Sequence, residues 1–177
     1  MNKRALIIGL IYCVIVIAFK LFILLGGYAF NTKFGFYYSH IVSVFFILPF
    51  FYIAIRLARD KDNGGVIGGK DALRIGLTVL AVAMVVLSVY NYMESGSQFF
   101  KEAAIKHYNS ETYLNVLKEI AAKVPDKLKA EDFPKIIQEQ ITGLAPGKAT
   151  TAKLIPLLLI GLSGGFVTAM FMKKSVR

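Results

Sequence analysis

Four apolar runs, 5–25, 38–55, 75–92 and 154–172, constrain this chain more than any other feature, because each is about 18 to 21 residues long and nearly free of charge. At 1.5 Å per residue such runs form helices of roughly 27 to 31 Å, matching a hydrocarbon core of about 30 Å. Four buried helices of a soluble protein fit less well, since core helices keep a polar face and these have none. Composition agrees: 56% of the 177 residues are hydrophobic and 18% charged, against about 45–50% and about 25% in soluble chains. The expected fold is a single all-α membrane domain, 1–177, with four transmembrane helices at 5–30, 36–57, 72–93 and 153–173. An extracytoplasmic amphipathic helical insertion, 94–152, separates helices three and four.

The first run follows "MNKR" and has the basic start of a secretory signal. It exceeds a typical signal core of about 7–15 residues, and "LLGGYAFNT" offers no A-x-A-like cleavage site, so it is expected to remain as the first helix. Cys13, the sole cysteine, sits inside it and allows no intramolecular disulfide.

Charge orients the spans. With a cytoplasmic N-terminus, the inner ends carry Lys3, Arg4, Arg56, Arg59, Lys61, Lys70, Arg74, Lys173, Lys174 and Arg177 against Asp60, Asp62 and Asp71. The outer side holds Lys20, Lys33, Lys153 and a segment whose basic and acidic residues cancel. The positive-inside rule then gives four crossings with both termini cytoplasmic. Tyr28, Tyr37, Tyr38, Tyr90 and Tyr92 fall at the outer ends, as an interfacial belt requires. The formal net charge of +10 is thereby explained by an anionic inner leaflet, and no nucleic acid is expected as a partner, because no soluble face interleaves basic and aromatic residues.

The stretch "NGGVIGGKD", 63–71, carries the Gly-x4-Gly-Lys spacing of a phosphate-binding loop. A phosphate loop needs a preceding strand and a Ser or Thr after the lysine, whereas here a membrane helix precedes it and Asp71 takes the hydroxyl position. The glycines are therefore expected to make a tight turn, with Asp71 capping or beginning helix three, and no nucleotide or other cofactor is expected.

Within the spans, Lys20 is the sharpest polar residue, since an intramembrane charge is a functional-site candidate. Its stem can snorkel to the outer interface; alternatively Lys20, His40 and Asn91, near one level, form a polar cluster facing an outside entrance. His40 and His107 lack partners at ligand spacing, so no metal site is expected. No nucleophile elbow, triad spacing or intramembrane carboxylate pair marks a catalytic residue, so no enzyme activity is expected. In helix four, Gly161, Gly165 and Ala169 stand four residues apart and are expected to seat another helix closely. Pro156 is expected in that helix's first turn, and Pro49 is expected to kink helix two.

In the insertion, "ESGS" reads as a short flexible link. Phe99, Phe100, Ala103, Ala104 and Ile105, then Tyr113, Val116, Leu117, Ile120 and Val124, form apolar stripes at helical spacing up to Pro125. A further helix starts at Asp132, with Pro134 in its first turn, and stops at Gly143. So short a segment is marginal alone, so its stripes are expected to fold into a cap over the bundle, with Tyr113, Leu117 and Ile120 as the candidate partner surface.

The junction "RLARDKDNGGVIGGKDALRIGL", together with "PLLLIGLSGGFVTAMFMKK" at the end, resembles a bacterial family of small four-helix inner-membrane proteins known only as a domain of unknown function. The resemblance covers nearly the whole chain and implies the fold and a bacterial inner membrane, but no activity. The expectation is a non-enzymatic accessory or scaffold protein, with the lipid bilayer and a larger membrane or envelope complex as partners. The alternative is a small transporter or channel working as a homo-oligomer, which the absence of an intramembrane acid and of an inverted repeat disfavours.

Overall fold

The computed structural model describes residues 2–28, 41–125 and 128–172. His40, Lys33, Tyr37, Tyr38, Lys173, Lys174 and Arg177 lie outside them. Seven α-helices account for most of the described chain: α1 (Lys3–Leu25), α2 (Ile47–Leu57), α3 (Gly69–Gly96), α4 (Gln98–Tyr108), α5 (Glu111–Lys123), α6 (Phe133–Gly143) and α7 (Pro146–Met172). Four stretches are long and apolar enough to cross a membrane: α1, Ile41–Asp62, α3 and α7. Their outward faces carry Val14, Phe22, Val85, Leu159 and Phe171, the last 86% exposed. Large apolar side chains exposed along all four spans suit contact with lipid rather than water.

Asn2 caps α1, accepting from the backbone N–H groups of Arg4 at 2.9 Å and Ala5 at 3.1 Å. Arg4 Nε also donates to Asp62 at 2.7 Å, placing the start of α1 beside the end of the second span. At the opposite end Lys20 of α1 meets Glu94 of α3 and Lys153 of α7 meets the same carboxylate, so successive spans run in alternating directions. The core lies among them, with α3 packed against α1, α2 and α7. Tyr12, Ile47, Phe51, Ile55 and Val79 are its large buried side chains, and Ala5, Ala54, Ala58, Ala72 and Ala83 let the backbones approach. Tyr12, buried without residue, donates its hydroxyl proton to the Ser43 carbonyl and stacks edge-on against Phe50.

The second span is interrupted at Phe46, three residues before Pro49. Proline lacks an N–H and its ring crowds the carbonyl four residues back, here Phe45, so the distortion falls N-terminal to the proline itself. The span ends in a wider π-helical turn, Ala58–Asp62. The glycine turn follows, with Gly64 at φ 57° and Gly65 at φ 87°, and the Gly65 N–H bonding to the Arg59 carbonyl at 2.9 Å. Gly68 rather than Asp71 holds the N-cap position of α3, and Asp71 lies in the first turn without a capping bond. Gly65→Ala is expected to cost about 1–2 kcal/mol, because an L side chain is strained at positive φ, although nothing stands within 4 Å of the added carbon. A thermal melt of the purified variant reads this directly, and an unchanged midpoint would mean that the turn adopts another backbone.

Two boundaries differ from those read in the sequence. The residues "ESG" are not a link: α3 continues through Gly96, and Ser97 ends it while its Oγ accepts from the Phe100 N–H at 3.2 Å to begin α4. Likewise α7 begins at Pro146, so Pro156 lies inside the helix rather than in its first turn. The apolar run had marked the helix start, but "GKATTAK" is itself helical and precedes it. Pro156 therefore deprives the Ala152 carbonyl of its intrahelical donor, and Pro146 takes the first-turn role.

The insertion forms a layer of three helices at the end of the bundle where α1 and α3 finish. Ser110 breaks the first stripe and caps α5 through the Tyr113 N–H at 3.2 Å. Asp132 turns its carboxylate back to the Lys129 N–H at 3.0 Å, closing a 3-10 turn ahead of α6. Phe100, Ala104, Tyr108 and Leu144 form a second core, joined by Tyr113, Ile137, Ile141 and Leu24 of α1. The layer is a cap folded on itself and on the bundle.

Candidate functional site

The buried face of α1 reads Ala5, Gly9, Tyr12, Val16, Lys20, a stripe with steps of three and four residues. Lys20 completes that stripe and so points inward, its side chain only 5% exposed. On α3, Tyr90, Asn91 and Glu94 share one face by the same spacing. Lys20 Nζ donates to Asn91 Oδ1 at 2.6 Å and to Glu94 Oε2 at 3.0 Å. Lys153 Nζ donates to that same oxygen at 2.6 Å, and the Tyr90 hydroxyl donates to Glu94 Oε1 at 2.9 Å. The aromatic faces complete the shell: Lys20 lies 4.9 Å from the Tyr90 ring centre and Lys153 5.1 Å from that of Phe100, attractive cation–π placements.

This node draws one charge from each of three helices and one ring from the cap. Two ammonium groups face one carboxylate, leaving a surplus of one positive charge. Attraction across a poorly solvated site is stronger than in water, and a shared carboxylate with both oxygens bonded is what makes burial of three charges tolerable.

A cavity of about 460 Å³ opens beside the node, beneath the cap. Its walls are mainly apolar, including Val16, Leu87 and Leu157 from the bundle and Tyr108 and Leu144 from the cap. Lys20, Asn91 and Lys153 line it, whereas Glu94 does not. Ala152 and Pro156, at the interrupted bond in α7, form another part of the wall. Among the described residues, no group of three or more His, Cys, Asp or Glu side chains stands where it could hold a metal ion.

Of the candidate cluster, the structure brings Lys20 and Asn91 together, and His40 lies outside the described residues. Lys20 is turned inward and paired instead of snorkelling. Glu94, assigned from sequence to the link, is an acid within a long apolar helix and the centre of the node. Lys153 and Tyr90 join it unanticipated. The available signal was the i, i+4 spacing of Tyr90 and Glu94.

The remaining candidates separate cleanly. Gly161, Gly165 and Ala169 are all buried; a side chain at Gly161 would meet Leu80 of α3, and one at Gly165 would meet Phe51 of α2 at 3.7 Å. That seam is internal. On the cap, Leu117 is buried, Tyr113 packs against Tyr108 with ring centres 5.1 Å apart, and only Ile120, 44% exposed, faces outward.

Four apolar spans and a helical cap clasped by buried charge define a multi-pass α-helical membrane protein. The chain matches the model of DUF4199, a family of proteins of unknown function, over residues 3–174, and belongs to that family. No curated protein and no solved structure matches it.

Proposed function

We propose that this is a non-enzymatic accessory component of a bacterial inner membrane that presents a fixed extracytoplasmic cap to a larger membrane or envelope complex. The observation that carries the reading is the clasp. The cap follows α3 without a linker, is held to α1 through Leu24, and touches the ionic node through Phe100. Its outer face is thereby held in one orientation, which a docking element needs and a tethered domain lacks. The basic residues at the opposite ends of the spans support cytoplasmic termini and an external cap.

The test is affinity purification from native membranes in mild detergent, with a tag after Arg177 and native mass determination. The expected result is a partner at fixed stoichiometry, lost on Ile120→Asp while the monomer melts unchanged. A homo-oligomer alone would overturn the accessory reading. The second reading, a small oligomeric transporter or channel, is favoured by one observation, the cavity beside Lys20 and Asn91. It would gain from solute flux in proteoliposomes that Lys20→Leu abolishes.

A further inference from the structure

We propose that the cavity beneath the cap holds one acyl chain of an anionic phospholipid from the surrounding bilayer, with the lipid phosphate at Lys20 and Lys153. The site goes beyond the accessory reading and does not depend on it.

Size is the first argument. A volume of about 460 Å³ lies within the range of about 300–1,000 Å³ of small-molecule sites, which combine mostly apolar walls with a few convergent polar groups. Here Lys20, Asn91 and Lys153 converge at one place, and Ser43 and Gln140 add two further polar residues to the lining. Val16, Leu87 and Leu157 supply walls. A ligand that satisfies both halves is amphiphilic; a water-soluble anion would leave the walls unused, and a neutral lipid would leave the amines unused.

Charge selects the headgroup. Both lysines line the cavity and Glu94 does not, its oxygens being bonded to Tyr90 and to the two lysines. Lys153 has three ammonium protons, and its one hydrogen bond among the described residues is to Glu94. Donors therefore remain for a phosphate oxygen, and the surplus positive charge complements a lipid of net charge minus one. A zwitterionic lipid brings its own cation and gains less.

Depth selects the source. Glu94 lies just past the apolar run of α3 and Lys153 just before that of α7, so the node sits at the end of the hydrocarbon layer, where phosphates lie. A chain descending from that level runs along Leu87 and Leu157 into the bundle.

Native mass spectrometry of the full chain, in mild detergent with equimolar dioleoylphosphatidylglycerol and dioleoylphosphatidylcholine, tests the proposal. The expected result is one retained phosphatidylglycerol per chain, preferred about tenfold, because both headgroups offer the phosphate but only phosphatidylcholine places a further cation beside the two ammonium groups. Lys153→Gln, which leaves Lys20 and Glu94 as a neutral pair, should bring the preference close to unity. Ala152→Trp fills the cavity from an exposed wall position and should abolish retention of either lipid; it decides the matter alone if Lys153→Gln does not fold. Equal retention of the two lipids by the unmodified chain, or a preference surviving Ala152→Trp, would overturn the proposal. So would displacement of phosphatidylglycerol by equimolar oleate, which would assign the cavity to a free fatty acid.

Discussion

Glu94→Leu is expected to destabilise the protein by about 3–5 kcal/mol, since removing one member of a buried charged network leaves the others uncompensated. Lys20 and Lys153, 5% and 12% exposed, would face each other with no counter-charge. At this chain length the loss corresponds to a melting point lower by roughly 6–20 °C, read by thermal unfolding in detergent. Glu94→Gln, which retains an acceptor but no charge, should fall between. The triple replacement Lys20→Met, Glu94→Leu, Lys153→Met should recover most of the loss, because well-packed apolar groups often replace a buried ion network at little or no cost. If Glu94→Leu melts with the unmodified protein, the node is not formed. If the triple variant is no better than the single one, the loss arises from packing and not from charge.

Gly9→Leu should be the most damaging change at a helix seam. A carbon added at Gly9 would stand 3.0 Å from Val82 Cβ and 3.3 Å from the Val79 carbonyl oxygen of α3. Neither atom belongs to the free end of a side chain, so α1 itself must move away, at about 3 kcal/mol, the upper part of the usual range for overpacking. Lys20 lies eleven residues further along the same buried stripe, so that displacement would also loosen the node. Gly161→Ala provides the contrast. Its added carbon would overlap Leu80 Cδ1, with Leu80 Cδ2 and Cγ the next nearest atoms; a side-chain end gives way more readily than backbone, and a cost of about 1 kcal/mol, the lower part of the overpacking range, is expected. Melting points in the opposite order would show that α7, not α1, sets the tolerance of the bundle.

The same residues indicate how much was legible beforehand. The glycine turn at 63–65 and the helix at 133–143 follow from local chemistry: positive φ at Gly64 and Gly65, and Pro134 at the helix start. The small-residue row on α7 was legible too, because close approach needs small side chains wherever the partner lies. Glu94 was misread for a specific reason. The polar "ESGS" has the composition of a loop, yet the helix continues to Gly96, and Ser97 both ends it and caps α4 at Gln98, leaving no room for a linker. Lys153 falls at the edge of the apolar run but inside the helix Pro146–Met172, since hydropathy registers the apolar run and not the helix that contains it.

By itself the sequence determined that four helices cross a membrane, that Gly64 and Gly65 turn the chain between the second and third, and that amphipathic helices lie between the last two. These are properties of length, polarity and backbone freedom, each contained in a short stretch. Only the tertiary structure decided that Lys20, Glu94 and Lys153 meet, and that a cavity opens beside them. The partners of Glu94 stand 74 and 59 residues away, and their meeting depends on how each helix is rotated about its axis. Apolar nearly all round, α1 and α7 carry little periodic signal for that rotation; packing of Gly9 on Val82 and of Gly161 on Leu80 sets it instead.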